Sequence, residues 1–482
     1  MIKIREIIFA LVLIVLGIVS IALNDKLSFF CALILFVIGF VFLLKDLEYN
    51  VFMLAFLVSF FTFLLGSEAI WLMGWGDNKY LFPQEVDNHA YVSITISVMF
   101  LFLSYIATNS YLRKKHPVAV SETVLSDRVL SIRKVSLFFY YGLLVFKIII
   151  NLSELIFVRT FGYSNLYSDY NFQGPSFFIK LADMCTLSFF VFLGTLPSKK
   201  ECKIPVLLYL CVTAITIFTG RRNDLITTLL LIFVYYCTRN KMNSGNKVWI
   251  SRKKIYIFVI LTPLLLSLLS TLSALRSGTQ DNLTISYFKG IGDFFSQQGF
   301  SINIIKWEKS LENSIPNKIY SLGQTYEVFT TRNFISRALF DFKSFSGQTV
   351  ERALEGHRLS YLLSYLVFPW SYAHGYGVGS CYIAEAYHDF GYLGISIINC
   401  LYGFLFANFN YNKFRGPIYM GISLLMMQSL LMAPRAYADS FIGTVLDFSN
   451  IEILLLIWLI SKHVNQRRGV SNQAKGDLYQ KI

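Results

Sequence analysis

Charge is scarce in this chain. Only 15% of its 482 residues are Asp, Glu, Lys or Arg, against roughly 25% in a soluble domain, so a surface that faces water all round is excluded. Cysteine is sparse too. Of seven, Cys31, Cys185, Cys211, Cys237 and Cys400 fall inside apolar runs, where they act as small hydrophobes. No CxxC pair is present, which speaks against a disulfide framework or a thiolate metal site. There is no GxxxxGK[ST] loop and no HExxH, so neither ATP nor a zincin-type metal is expected to drive the chemistry. The nearest approach to an Asp-x-Asp motif, Asp46-Leu47-Glu48, falls on the side read below as cytoplasmic. No cofactor is expected. No internal repeat is evident, unlike the inverted halves of many secondary transporters.

What the chain has instead is apolar length. Hydrophobic residues make up 55% of it, in repeated runs of the ~20 residues that carry a helix across ~30 Å of hydrocarbon. Taking each run with its polar flanks predicts helices at 7–23, 28–44, 51–73, 90–110, 135–158, 176–197, 204–219, 223–238, 255–275, 380–408, 417–433 and 441–460. The expected fold is an all-α polytopic membrane protein of about twelve transmembrane helices. The first run follows Met1-Ile2-Lys3-Ile4-Arg5 without a small-x-small cleavage site, and it reads as an uncleaved span.

The formal charge of +14 does not point to nucleic acid, because the Lys and Arg residues lie between apolar runs and form no single patch. More than half of the 43 fall at the two termini and in the connections 45–50, 111–134, 198–203, 239–254 and 411–416. The short connections of the opposite face hold Lys26, Lys79, Arg159, Arg221, Arg222 and Arg435. Positively charged loops stay in the cytoplasm, which predicts both termini there. The chain then divides into nine spans in 1–275, one long extracytoplasmic loop at 276–378, three spans in 379–461 and a cytoplasmic tail at 462–482. A connection as long as that loop is normally functional or a domain. Within it, 359–370 is apolar but too short to span, and suits a re-entrant or interfacial helix that holds the loop against the membrane.

The most informative short segment is Thr219-Gly220-Arg221-Arg222-Asn223-Asp224, a tight external connection with two adjacent arginines where the eighth helix begins. Guanidinium groups beside a helix N-terminus suit an anion such as a pyrophosphate. The bland alternative is that both snorkel to lipid headgroups. Three more arginines stand at helix mouths of the same predicted face: Arg276, Arg358, and Arg435 within Pro434-Arg435-Ala436-Tyr437-Ala438-Asp439.

Histidines His357, His374 and His388 lie in or beside the long loop, and a near-neutral imidazole is the usual base for activating a hydroxyl. His374 sits in Ala373-His374-Gly375-Tyr376-Gly377-Val378-Gly379, where glycines allow close backbone approach to a ligand, or simply form a hinge. His374 and His357 are the candidate bases. Glu385 and Asp389, spaced i and i+4, share a helix face. Glu385 has three open roles: pairing with an arginine, orienting His374 or His388, or acting as base itself. Lys147 with Glu154, and Lys180 with Asp183, read as buried structural pairs or, less readily, as groups lining a cavity. Trp307, Trp370 and the many tyrosines of the loop fit interface anchoring better than sugar stacking.

The Gly-Arg-Arg connection, the long late loop, and Gly377-Val378-Gly379-Ser380 through Glu385 and Tyr387 to Phe390-Gly391-Tyr392-Leu393-Gly394 together resemble the Wzy O-antigen polymerase family. The resemblance implies a GT-C-like architecture shared with O-antigen ligases, in a bacterial inner membrane with the active site facing the periplasm or exterior. It implies transfer of a growing glycan from undecaprenyl pyrophosphate to the terminal hydroxyl of an incoming lipid-linked unit. Donor, acceptor and membrane lipids are the implied partners, with a chain-length regulator and a flippase beside them, and no nucleic acid. It points to Arg221 and Arg222, then Arg358 and His374. With Arg276 and Arg435 from the reading of the helix mouths, these arginines are the expected pyrophosphate ligands, and His374, Glu385 and His357 are the candidates for catalysis. The His-Asn pair common before the final Glu-x-Gly-x-x-Gly of ligases is replaced here by Ser380-Cys381. The rival readings are a flippase for the same lipid-linked sugars and the sister ligase.

Overall fold

The computed structural model describes residues 4–23, 26–74, 80–115, 126–162, 166, 170–242, 248–251, 253, 287–331, 339–340, 342–343, 345, 347–412 and 415–479. Among these residues there is no strand. In chain order the helices are α1 (Ile4–Leu23), α2 (Lys26–Leu44), α3 (Leu47–Leu72), α4 (Gln84–Lys115), α5 (Asp127–Phe161) and α6 (Phe177–Gly194). Next come α7 (Lys199–Phe218), α8 (Arg222–Met242), α9 (Tyr287–Gln298), α10 (Ile302–Ser310), α11 (Gly323–Phe329) and α12 (Val350–Glu355). The last are α13 (Leu359–Val367), α14 (Pro369–Ala373), α15 (Tyr382–Asn412), α16 (Pro417–Met432), α17 (Ser440–Val445) and α18 (Phe448–Tyr479).

Nine helices among the described residues are long and apolar enough to cross a membrane. They cover nine of the predicted runs, and α8 covers the run at 223–238. The run at 255–275 lies outside the described residues. The last run, 441–460, is interrupted: α17 stops at Val445 and α18 starts at Phe448. Asp447 Oδ1 accepts from Ser449 N at 3.0 Å, and Asn450 Nδ2 donates to Thr444 O at 2.7 Å. These short polar side chains offer the backbone local partners that compete with a continuous helix.

The chain forms two compact units, each built from three separate stretches of the sequence. The first comprises Met1–Pro117, Phe233–Asn410 and Leu430–Ser440. At its centre α3 and α4 are largely buried, whereas α1 keeps an apolar outer face with Ile4, Ile7, Ile8 and Leu11 exposed. Small residues allow close approach: a Cβ on Gly39 would meet the Phe102 ring, and one on Gly403 would lie 2.5 Å from Leu101 O. Buried hydroxyls of the helices pair with one another, as in the Ser20–Thr95 contact at 2.9 Å, or with amides, as in the Tyr105 bond to Asn50 Oδ1 at 2.8 Å. Hydrocarbon offers such groups no other partner.

The long polar segment folds into this same unit. Ser67 Oγ donates to Gly299 O at 2.9 Å, and Phe61 meets Phe295 edge-on. Fully buried Lys306 on α10 lies 2.6 Å from Glu68 and 2.7 Å from Asp87, at the ends of α3 and α4. The apolar stretch at 359–370 becomes α13 and α14. Leu359, Leu362 and Leu363 are completely buried in the unit, so protein covers the face that the sequence suggested would lie on lipid.

The second unit comprises Val118–Ile232, Tyr411–Ser429 and Phe441–Ile482. Here α5 packs along α6, and α18 packs on both. Ser198 and Glu201 form a reciprocal capping box that starts α7. Buried Arg133 ties this end together through Thr195 Oγ1 at 3.2 Å and Glu201 at 3.2 Å. Close approach of α6 and α16 depends on Gly194 and Gly421, whose added Cβ atoms would lie 2.2 Å from Pro417 O and 2.8 Å from Val191 Cα.

Candidate active site

In the first unit the segment Pro434-Arg435-Ala436-Tyr437-Ala438-Asp439 is held at nearly every residue. Arg435 Nη1 donates to Gln298 Oε1 at 2.9 Å, with its Cζ 5.8 Å from the Phe63 ring centre. Tyr437 OH lies 2.9 Å from Ser360 Oγ. Ala438 N donates to Glu385 Oε2 at 2.8 Å, and Ala438 O accepts from Tyr402 OH at 2.7 Å. Asp439 Oδ2 accepts from Thr325 N at 2.6 Å in the first turn of α11. Burial pushes the Asp439 pKa up, against the pull of the Thr325 and Gln324 amides.

Arg358 comes to this turn from the residue just before α13. It is 7% exposed, its Cζ lies 4.8 Å from the Tyr437 ring centre, and Nη2 lies 2.5 Å from Glu327 Oε2. Burial alone would lower its pKa, but Tyr437 and Glu327 outweigh that and raise it. Its Nε–H is buried and meets no acceptor among the described residues. Tyr361, on the first turn of α13, feels Tyr437, Arg352, Arg358 and Glu327 together. The sequence reading thus has two of its arginines, Arg358 and Arg435, brought to one turn.

The other three stand differently. Arg221 belongs to the second unit, where Gly220 takes φ +85° and turns the chain into α8. The Arg221 guanidinium pairs with Glu154 and lies 3.7 Å from Asp224. Glu154 therefore takes Arg221 as its direct ion-pair partner, where the sequence suggested Lys147, and Lys147 donates to Thr186 Oγ1 at 3.0 Å. The side chain of Arg222 and all of Arg276 lie outside the described residues.

The candidate bases also separate. His374 is exposed at the end of α14, where Nδ1 contacts Trp370 O at 2.8 Å and the ring lies 4.2 Å from that of Trp370. Glu385 is completely buried, and both oxygens accept, from Ser380 Oγ at 2.6 Å and from Ala438 N. Its neighbour Asp389 accepts from Tyr320 N at 2.9 Å and Ser321 N at 2.8 Å. The two carboxylates that share a helix face thus brace two turns, and Gly391, at φ +60°, breaks α15 just beyond them. His357 is half-buried against Tyr326, with ring centres 4.0 Å apart. Burial, then Lys318, lowers its pKa below the ordinary 6.5, which leaves the imidazole neutral at pH 7.

Sequence reasoning missed Arg352, whose Cζ lies 4.1 Å from the Tyr361 ring centre. It also missed the buried Lys306 cluster and the contact of Glu308 with His388 at 3.5 Å. Alternating charges such as Glu351-Arg352 and Glu308-Lys309 look like solvated helix faces in a sequence, and no spacing signal separates them from one.

Fold and site together define a polytopic membrane protein with a folded polar region built on its helices. The family model described as O-antigen polysaccharide polymerase Wzy matches residues 3–468, nearly the whole chain, and the protein belongs to that family. Membership supports an O-antigen polymerase role of glycosyltransferase-like type in polysaccharide biosynthesis. Comparison with curated proteins and with solved structures gave no match.

Proposed function

We propose that this protein joins oligosaccharide repeat units carried on undecaprenyl pyrophosphate at the outer face of the bacterial cytoplasmic membrane. The bond between the reducing-end C1 of the growing glycan and its pyrophosphate breaks. A bond forms between that C1 and a terminal hydroxyl oxygen of an incoming lipid-linked unit. The hydroxyl proton passes to a base, and the carrier pyrophosphate leaves as an anion.

Beyond family membership, the observation that supports this reading is the buried Arg358 guanidinium beside Tyr437, which pairs with Glu327 through Nη2 and whose Nε–H meets no acceptor among the described residues. A fixed cation in a site of low dielectric stabilises charge developing on a leaving diphosphate without reorganising. Arg435, anchored on the same turn, adds a second positive charge. Arg221 is engaged by two carboxylates, so its part is to hold the second unit together. His357, neutral by burial, is the proposed base. Glu385 is a positioning residue: it holds the turn that carries Arg435 and Tyr437. No step is assigned to a metal or cofactor.

The test is conversion of purified undecaprenyl-pyrophosphate repeat units into ladders by the detergent-solubilised protein, without added nucleotide. Wild type should yield ladders, while Arg358→Ala should insert normally and leave single units. Absence of ladders with wild type, together with lipid-linked units retained on the inner leaflet of cells lacking the protein, would make transport the better reading.

A further inference from the structure

Helix α11 has two unlike faces. One is built into the candidate site. A Cβ on Gly323 would collide with His357 O, Thr325 N donates to Asp439 Oδ2 at 2.6 Å, and Glu327 Oε2 pairs with Arg358 at 2.5 Å. The other face carries Leu322, Tyr326 and Phe329, at the i, i+4, i+7 spacing of one helix side, with Ile319 on the turn before, and all four are exposed. Charged groups beside it are engaged elsewhere: Lys318 donates to Leu354 O at 2.7 Å and Glu355 O at 3.1 Å, and Lys343 meets Glu351 at 2.9 Å and Glu355 at 2.8 Å. Large apolar side chains gathered on the surface of a polar region mark a binding surface. His357 narrows what binds. Its ring centre lies 4.0 Å from that of Tyr326, with the planes tilted by 38°, and one ring N–H is directed at the Ile319 backbone carbonyl. That bond fixes the tautomer and leaves the other nitrogen able to accept.

We infer that the exposed face of α11 is the platform for the terminal sugar of the incoming unit: Tyr326 stacks on the C–H face of the sugar ring, and a hydroxyl at the ring's edge reaches the free nitrogen of His357. This deepens the function proposed above and rests on its assignment of His357 as the base. A sugar ring is apolar on its faces and polar at its edge, so it matches an aromatic side chain with a hydrogen-bond acceptor next to it. Tyrosine supplies such contact area with few rotamers to fix. A lipid surface fits less well. Interfacial helices carry Lys or Arg on their polar face, whereas α11 has neither and turns its polar side, Thr325 and Glu327, into the protein. Acyl chains also bring no hydroxyl to His357.

The experiment uses the full chain in phosphatidylcholine nanodiscs. It reads ladder formation from lipid-linked repeat units and, by saturation-transfer NMR, the Kd for the free repeat-unit oligosaccharide cut from its carrier, which has no diphosphate. Tyr326→Ala should weaken that Kd about tenfold, the effect of one aromatic face, and slow ladders at limiting substrate by a similar factor. Tyr326→Phe keeps the ring and should stay within about twofold of wild type. Tyr326→Leu keeps apolar area without the flat face, so it should match Tyr326→Ala, and it serves in its place if that variant unfolds. Wild-type affinity in Tyr326→Leu overturns the platform. His357→Gln should lose turnover yet still bind the oligosaccharide. Full ladder formation with an unchanged Kd in Tyr326→Ala overturns the platform and leaves the proposed function standing. Failure of wild type to form ladders overturns the proposed function and the platform with it. Labelling of residues 319–329 by a phosphatidylcholine with a photoreactive acyl chain would place α11 on lipid and also overturn the platform.

Discussion

Arg221 in the second unit and Arg358 in the first use their charge differently. In the second, Arg221 faces two carboxylates, Glu154 and Asp224, so the local charge is cancelled and the cation serves as a tie between helices. In the first, Arg352 and Arg358 rest on the faces of Tyr361 and Tyr437, and among the described residues Arg358 meets a single carboxylate, Glu327, at 2.5 Å. An aromatic face holds a guanidinium by its quadrupole without neutralising it. What decides whether a membrane-protein arginine is a fastener or an anion site is therefore the number of carboxylates it meets. Lys306, with Glu68 and Asp87, sits on the fastener side.

If that distinction holds, substitutions should split into losses of stability and losses of rate. The largest stability loss is expected from Lys306→Met, which strands two buried carboxylates and should cost ~3–5 kcal/mol in denaturant unfolding. Little loss would show that the cluster is not the clamp between the polar region and α3. Arg358→Ala should reduce turnover by ~10²–10³-fold with unfolding less affected. A pure stability loss would move Arg358 to the fastener class. Arg221→Ala should destabilise by about 3 kcal/mol, and adding Glu154→Gln should restore most of both stability and ladder formation. A double variant that is stable but inactive breaks the comparison, because Arg221 would then act on substrate.

His357→Gln should slow turnover by ~10²-fold and change its pH profile. With a folded pKa depressed below 6.5, the wild-type acid limb should lie below pH 6.5. Depression also means that the neutral ring favours the folded state above pH 6.5, and this contribution disappears as pH falls through the folded pKa. The variant should therefore lose part of the acid sensitivity of unfolding, and an unchanged pH dependence would remove His357 from the base role. The smallest effect is expected for His374→Ala, whose exposed ring stacks on Trp370. Activity should stay within about threefold of wild type, as expected for a surface substitution.

Much of the scaffold was legible in the amino-acid order. Apolar runs long enough to span are a strong one-dimensional signal, and nine of the predicted runs correspond to helices of spanning length. The Pro434–Asp439 segment and the Glu385–Asp389 spacing were also recognisable as special. Their roles were not, since a buried carboxylate that braces a turn and one that takes a proton have the same local sequence. Glu385 shows the difference: Ser380 Oγ and Ala438 N, fifty-three residues away in the latter case, occupy its two oxygens.

The sequence by itself determined that this chain lives in a membrane, is helical, and carries arginines at helix ends, because hydrocarbon allows few alternatives to long apolar helices with charge at their mouths. Only the tertiary structure decided how many carboxylates each of those arginines meets. That depends on where carboxylates such as Glu154, Glu327, Glu351 and Glu355 are turned, and a carboxylate's direction is set by packing between segments far apart in the chain.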